Sequence, residues 1–264
     1  MSIGKVWLVG AGPGDAGLFT LKGLEVLNKA EVVVYDSLVG QGVLTKIPDS
    51  ARLIYVGKRA DKHTLPQEQI NQVLLEEAQK GYRVVRLKGG DPFLFGRGGE
   101  ELELLTEHGI PYEIVPGVTS PLAVPAYNGI PVTHRDFCSS LHIITGHRRA
   151  GKEYDINFRA LVDTKGTLVF LMGVAALHDI CQGLLDEGME PEMPAAILQK
   201  GTTAGQMCSF LKAVIQHSHI SQMREVDSSH GSVFAGQSNH VVLSGTAQGT
   251  GTQRDTVVLV IHQL

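Results

Sequence analysis

"VVRLKGGDPFLFGRGGEE", residues 84–101, decides how this chain is read. An apolar, β-branched run stops at Gly89 and Gly90, so it reads as a strand ending in a turn of nearly bare backbone. Five glycines and Pro92 then surround one aspartate, Asp91, and one arginine, Arg97. Open α/β sheets receive ligands at the carboxyl ends of their strands, where this turn falls. No Walker-type lysine followed by Ser or Thr is present, so a phosphate cradle is not expected. Asp91 has two readings. It is a carboxylate for an amine or ribose hydroxyl of a ligand, or a helix-capping aspartate before Pro92.

Outward from this stretch, short apolar runs alternate with helical spacing. Strands are expected at Lys5–Gly10, Glu31–Asp36, Ala51–Gly57 and Tyr112–Gly117. Thr20–Ala30 reads as a helix with Thr20 as N-cap, Gln67–Lys80 as an amphipathic helix stopped by Gly81, and Glu100–His108 as one closed by Gly109. "VTSPLAVPAYNGIP" starts a short helix that breaks at its prolines. This alternation predicts an α/β lobe over 1–128 with a largely parallel sheet. Residues 129–140, "GIPVTHRDFCSS", read as a linker, and 141–264 as a second α/β lobe. Its elements are strands at "LHIITGH", "GTLVFLMG" and "PAAIL", with a helix over Val174–Glu187. From Met207 the texture changes, with many serines and five of the 11 histidines. There "SFLKAVIQ" reads as a helix, and "HVVLSG" and "TVVLVIH" as strands.

Hydrophobic residues make up 43% and charged residues 19% of the 264, which excludes a disordered chain. No apolar run approaches the ~18 residues of a spanning helix, so no membrane partner is expected. "MSIGKVWLVGAGPGD" is too glycine-rich for a signal peptide. The formal net charge of −4 argues against nucleic acid. Basic residues cluster locally, at Lys58–Arg59, Arg83–Lys88, Arg97, His134–Arg135 and His147–Arg149, which suits a small anionic ligand. Cys138, Cys181 and Cys208 are scattered, giving neither a disulfide framework nor a metal site, and a reducing cytoplasm is the simplest home.

Other candidates sit at further strand ends. "VGAGPGD", residues 9–15, lets backbone approach a ligand, but Asp15 stands where a dinucleotide fingerprint needs glycine and Pro13 removes a donor. Asp36 closes one strand and Lys58 follows another, so a proton acceptor and a proton donor face the same sheet edge as Asp91, unless they serve only as surface charges. In "PGVTSPLAVPAYNGIPVTHRD", Thr119 and Ser120 offer hydroxyls or a helix cap. His134 and Arg135 precede the second lobe.

Taken in order, "VWLVGAGPGDAGLFTLKGLEVL", "VVVYDSLV", "VGKRADKHTLPQEQIN", the opening stretch, "PGVTS", "AYNGIPVTHRD" and "TLVFLMG" resemble the tetrapyrrole methylases over roughly Lys5 to Gln206. "YDSLV", "GKR" and "THRD" are most similar to the members that methylate uroporphyrinogen III. The resemblance implies two α/β lobes with S-adenosylmethionine in a cleft between them, and a homodimer. It places cofactor contacts at Pro13, Gly89, Gly90, Asp91, Leu94, Thr119, Ser120, Met172 and Gly201. Asp36 and Lys58 match a proton acceptor and donor, and Arg97 an arginine acting on the substrate; the two proton-transfer schemes compete. The implied substrate is a reduced tetrapyrrole with eight carboxylates, methylated on two neighbouring rings to give precorrin-2. Arg97, His134, Arg135, Arg148 and Arg149 are the candidate carboxylate ligands. A methylase of a later corrin intermediate is the alternative.

The resemblance stops abruptly after "GTTAGQ", residues 201–206. The family's "GTL"-like strand, amphipathic helix and "IIVVGEVV"-like last strand do not follow. A divergent tail or, preferably, a shifted reading frame accounts for this. Either would leave the second lobe short of strands, with "HVVLSG" or "TVVLVI" as a substitute edge strand, or the chain inactive.

Overall fold

A computed structural model describes residues 3–57, 65–146, 156–212, 246–247 and 255–262. The chain forms two compact units that divide between Ala123 and Val124.

The first unit is built on five parallel strands: β1 (Lys5–Gly10), β2 (Val32–Tyr35), β3 (Arg52–Tyr55), β4 (Arg83–Lys88) and β5 (Tyr112–Val115), in the order β3-β2-β4-β1-β5. Helix α1 (Leu21–Leu27) follows β1, and α2 (Gln41–Leu44) follows β2. Helices α3 (Gln67–Gln79) and α4 (Gly98–Glu107) pack together, and α5 (Ser120–Tyr127) leaves the last strand. Local chemistry sets these bounds. Thr20 accepts the Gly23 N–H at 3.0 Å and caps α1 as expected. Gly81, at φ +92°, lets the chain turn after α3.

Both faces of the sheet are covered, so its central strands are mostly apolar. Val6, Leu8, Val34 and Val84 pack with Ile70 and Leu74 of α3 and Leu105 of α4. Val9, Val33, Val85 and Leu87 pack on the opposite face with Leu27 of α1 and Val43 of α2. Each such side chain removed from water contributes roughly 1.5–3 kcal/mol.

The second unit holds β6 (Leu141–Thr145), α6 (Phe158–Asp163), β7 (Thr167–Leu171), α7 (Leu177–Asp186), β8 (Pro194–Gln199), β9 (Met207–Lys212), β10 (Thr246–Ala247) and β11 (Asp255–His262). The order of its main sheet is β6-β7-β11-β8-β9, with β10 paired to β11. β6 and β7 are parallel, while β11 runs antiparallel to both β7 and β8.

Three expectations change here. Residues 207–212 are a strand, β9, where the spacing of "SFLKAVIQ" predicts a helix: pairing along β8 overrides a short helical pattern. "TVVLVIH" is a strand, but a central one rather than an edge substitute, with Val260 fully buried. "HVVLSG" lies outside the described residues. The expected linker is also partly core. Ile130 of that segment and Val124 of α5 pack with Val169, Ala196, Leu198 and Val260. This packing is why the division falls inside α5 rather than after Asn128.

Candidate functional site

In the first unit, the loops after β1, β4 and β5 meet at the carboxyl edge of the sheet. Gly12 and Gly90 bridge through two backbone hydrogen bonds, of 3.2 and 2.7 Å. A side chain on Gly10 would lie 2.5 Å from the Gly117 backbone and 2.6 Å from the Gly90 carbonyl oxygen. A side chain on Gly89 would lie 2.6 Å from Leu38 Cβ. Most of the glycines in this region are therefore required by chain packing on chain. Gly90 differs. It has φ +64°, and its missing Cβ would meet nothing nearer than Thr119 Oγ1 at 3.9 Å. Here the main chain is bare and its side-chain direction is open, as close approach by a ligand requires.

Asp91 fixes this turn. One carboxylate oxygen accepts the Phe93 N–H at 2.8 Å and the other accepts the Gly117 N–H at 3.0 Å. Asp91 caps no helix, since α4 starts only at Gly98; it latches the β4 loop to the end of β5, and its contact with a ligand stays an expectation. Pro13, Leu94, Thr119 and Ser120 are half-buried in the same unit, Thr119 and Ser120 at the start of α5.

Asp36 follows β2 at this edge. Its carboxylate accepts the Leu38 N–H at 2.9 Å and a hydrogen bond from Arg86 Nη2, also at 2.9 Å. Lys58 lies outside the described residues, so its pairing with Asp36 stays an expectation. Arg97 stands just before α4 in the left-handed region (φ +58°), as does Phe95 (φ +54°). The Arg97 guanidinium forms a two-pronged bond with Glu100, at 2.7 and 2.6 Å, which raises its pKa further; the pair is about half exposed.

The sequence offers Arg83–Lys88 as a basic cluster for an anionic ligand, but Arg86 and Lys88 are instead buried beneath this edge and paired with Asp36 and Glu101. Arg86 and Lys88 share the face of β4 that carries Val84, and both are buried. Glu101, fully buried on α4, accepts from Lys88 Nζ at 2.6 Å, and from Arg86 Nε and Gln67 Nε2 at 3.2 Å each. Burial holds the Lys88 ammonium pKa below the ordinary lysine value, with Arg86 adding to the effect and Glu101 opposing it. The signal available was polar residues at alternating core positions of an otherwise apolar strand.

Met172 and Gly201 lie in the second unit, after β7 and β8. These strands run in the same direction, so both residues sit at one edge of that sheet. Met172 is exposed with φ +58°. Gly201 is buried where a side chain would overlap Val124. Gln206 ties its loop down: it accepts the Thr202 N–H at 2.7 Å and donates to Asn128 Oδ1 at 3.1 Å. His134 packs against Phe137 with the two rings tilted (centroids 4.7 Å apart) and accepts the Asp136 N–H; with Thr133, exposed Arg135, Cys138 and Ser139 it lines a shallow depression of about 250 Å³. Arg148 and Arg149 lie outside the described residues.

Residues 5–211 match the family model of the tetrapyrrole (corrin/porphyrin) methylases. Over 206 residues the chain is 57% identical to a porphyrin biosynthesis protein HemD of Ruminiclostridium josui, covering 78% of this chain and 41% of that protein. Over 203 residues it is 55% identical to a siroheme synthase of Escherichia coli, covering 77% and 44%. The chain therefore spans less than half the length of these curated relatives. Among solved structures, it superposes on a uroporphyrin-III C-methyltransferase from Thermus thermophilus, complexed with S-adenyl homocysteine, with a TM-score of 0.71, 34% identity and 97% of each chain covered. A cobalt precorrin-4 methyltransferase shares the fold, with a TM-score of 0.76 and 23% identity over 97% of this chain and 94% of that one.

Proposed function

Because the chain belongs to the tetrapyrrole (corrin/porphyrin) methylases, we propose that it transfers methyl groups from S-adenosylmethionine to carbon atoms of uroporphyrinogen III. Two transfers, through precorrin-1, give precorrin-2. The observation that carries this reading is the bare main chain at Gly90, latched by Asp91, in a chain alike over 97% of its length to a methyltransferase solved with S-adenyl homocysteine.

Bound beside Gly90, the cofactor would supply a methyl group already activated on sulfonium, so the protein's tasks are alignment and partial exclusion of water. Gly90 offers a main-chain surface that a side chain would block, and Thr119 Oγ1 borders it. Asp36, at the same sheet edge, takes the proton that the macrocycle loses from another position once a fully substituted ring carbon has gained the methyl group; Lys58 is the matching donor. Arg97 binds a substrate carboxylate. Its bond to Glu100 is exposed, and such pairs contribute only ~0–1 kcal/mol, so exchange of one carboxylate for another costs little. His134, Arg135, Arg148 and Arg149 hold further carboxylates. Pro13, Leu94, Ser120, Met172 and Gly201 are the remaining proposed cofactor contacts.

We assign the working form as a homodimer in the cytoplasm. Among the described residues no helix is long and apolar enough to cross a membrane, and Cys138, Cys181 and Cys208 form no disulfide. Residues beyond the family match do not leave the second sheet open, since β11 fills its centre, which favours a competent chain.

The test is methyl transfer from labelled S-adenosylmethionine to uroporphyrinogen III, to precorrin-2 and to later corrins, with calorimetry of S-adenosylhomocysteine binding. Turnover of uroporphyrinogen III with micromolar binding is expected. Turnover confined to later corrins moves the chain to the alternative, and absence of binding heat overturns the reading.

A further inference from the structure

Glu101 has no part in the reaction as proposed, yet it has the lowest exposure of any charged side chain among the described residues, at 0%. One oxygen, Oε1, accepts from Lys88, Arg86 and Gln67. The other, Oε2, has no hydrogen-bond partner among the described residues. Such a group is costly to keep. Buried ion networks give little net stability over well-packed apolar side chains of the same volume, so packing β4 against α4 does not call for one.

What an apolar residue could not do is hold a guanidinium. Arg86 is 3% exposed, and its planar fork is engaged on three sides. Nη1 donates to the Leu87 carbonyl at 2.8 Å, Nε to Glu101 at 3.2 Å, and Nη2 to Asp36 at 2.9 Å. The Nε contact fixes the plane of the group, and the plane decides where Nη2 points. Glu101 is itself fixed at the start of α4, and a side chain on Gly98, the first residue of that helix, would lie 2.6 Å from the Pro92 carbonyl oxygen. Positive and negative groups alternate along the row Lys88, Glu101, Arg86, Asp36.

We infer that Glu101 is a positioning residue for Asp36: from inside the protein it orients Arg86, and Arg86 sets the direction of the Asp36 carboxylate at the sheet edge. This rests on Asp36 as the proton acceptor of the proposed reaction.

Glu101→Gln tests it, because the amide oxygen still accepts a hydrogen bond while the charge is gone. With uroporphyrinogen III, kcat is expected to fall about 10–100-fold, while S-adenosylhomocysteine affinity stays within about threefold. In an Asp36→Asn background the same change should lower the residual rate less than about threefold, since the two residues act as one unit. Equal losses in both backgrounds overturn the assignment. A second measurement needs no turnover. By NMR, Glu101→Gln should speed hydrogen exchange of Arg86 Nε–H about tenfold or more and move the Asp36 carboxyl carbon resonance. If both signals match those of the unchanged protein, Glu101 does not position Asp36. Should the unchanged protein methylate no tetrapyrrole, the proposed function fails, and these two signals still decide whether Glu101 orients Asp36 through Arg86.

Discussion

Gly10 and Gly90 lie near each other, yet the structure demands opposite outcomes when each becomes alanine. At Gly90 the new methyl meets nothing nearer than 3.9 Å, and φ is +64°. The penalty is the left-handed backbone alone, roughly 1–2 kcal/mol for an alanine. At Gly10 no positive φ is involved, but the methyl lies 2.5 Å from Gly117 backbone atoms and 2.6 Å from the Gly90 carbonyl oxygen. Backbone atoms of two neighbouring strand ends must then separate, so the loss falls at or above the ~3 kcal/mol upper end of ordinary overpacking. Against a total of roughly 5–15 kcal/mol this is a large share. At ~2–4 °C per kcal/mol, Gly90→Ala melts a few degrees low and Gly10→Ala at least ~6 °C low. Calorimetry with S-adenosylhomocysteine separates the roles. Gly90→Ala, although folded, loses at least about tenfold in affinity, ~1.4 kcal/mol, because its methyl occupies the open approach. A Gly90→Ala protein that binds within twofold of the unchanged chain refutes the bare-backbone argument. A Gly10→Ala protein that melts normally refutes the packing argument.

Lys22 first, then Lys5 and Trp7, hold the Glu113 carboxyl at about 2. A depressed carboxylate stabilises above its unfolded value and loses that contribution as pH falls from about 4.5 to about 2, so Glu113→Gln should flatten urea-melt stability between pH 5 and pH 3, less so in high salt. Gln206→Leu removes one partner from Thr202 and one from Asn128 and should cost ~1–3 kcal/mol, read as faster hydrogen exchange around 201–206. Val260→Ala empties a fully buried position in β11; a loss of ~1–3 kcal/mol is expected, with reduced amide protection in β7 and β8. Burial pushes the Cys181 thiol up to about 12, so iodoacetamide at pH 8 should leave it unmodified until urea unfolds the protein, as mass spectrometry of the alkylated peptide would record.

The parallel sheet was legible because most of its strands are short apolar runs with a glycine close behind, and two of the intervening helices carry a glycine stop, Gly81 and Gly109; the short α2 between β2 and β3 left no such sign. Asp36, Gly90 and Asp91 could be placed at one edge because strand direction alone puts them there. The division of labour among the glycines was not legible: Gly10 and Gly117 serve each other and Gly90 stays open, and that depends on the register of strands distant in sequence. Nor could sequence choose between Glu100 and Glu101. They are adjacent, but one pairs with exposed Arg97 and the other lies under Arg86. "TVVLVIH" carried a usable sign, since an apolar run without polar alternation marks a strand covered on both faces. "SFLKAVIQ" carried a false one, its helical spacing yielding to the ladder along β8.

The place of β11 orders the birth of the second sheet. β7 and β8 are synthesised well before the strand that separates them, and neither completes its pairing until His262 has been added. At ~5–20 residues per second, the interval from Gln199 to His262 lasts roughly 3–13 s. Throughout it, two apolar strands wait with open ladders, a hazard for wrong pairing between nascent chains. Chaperone demand during translation should therefore concentrate on this half of the molecule, while the first unit, whose strands are all made by Val115, closes without waiting.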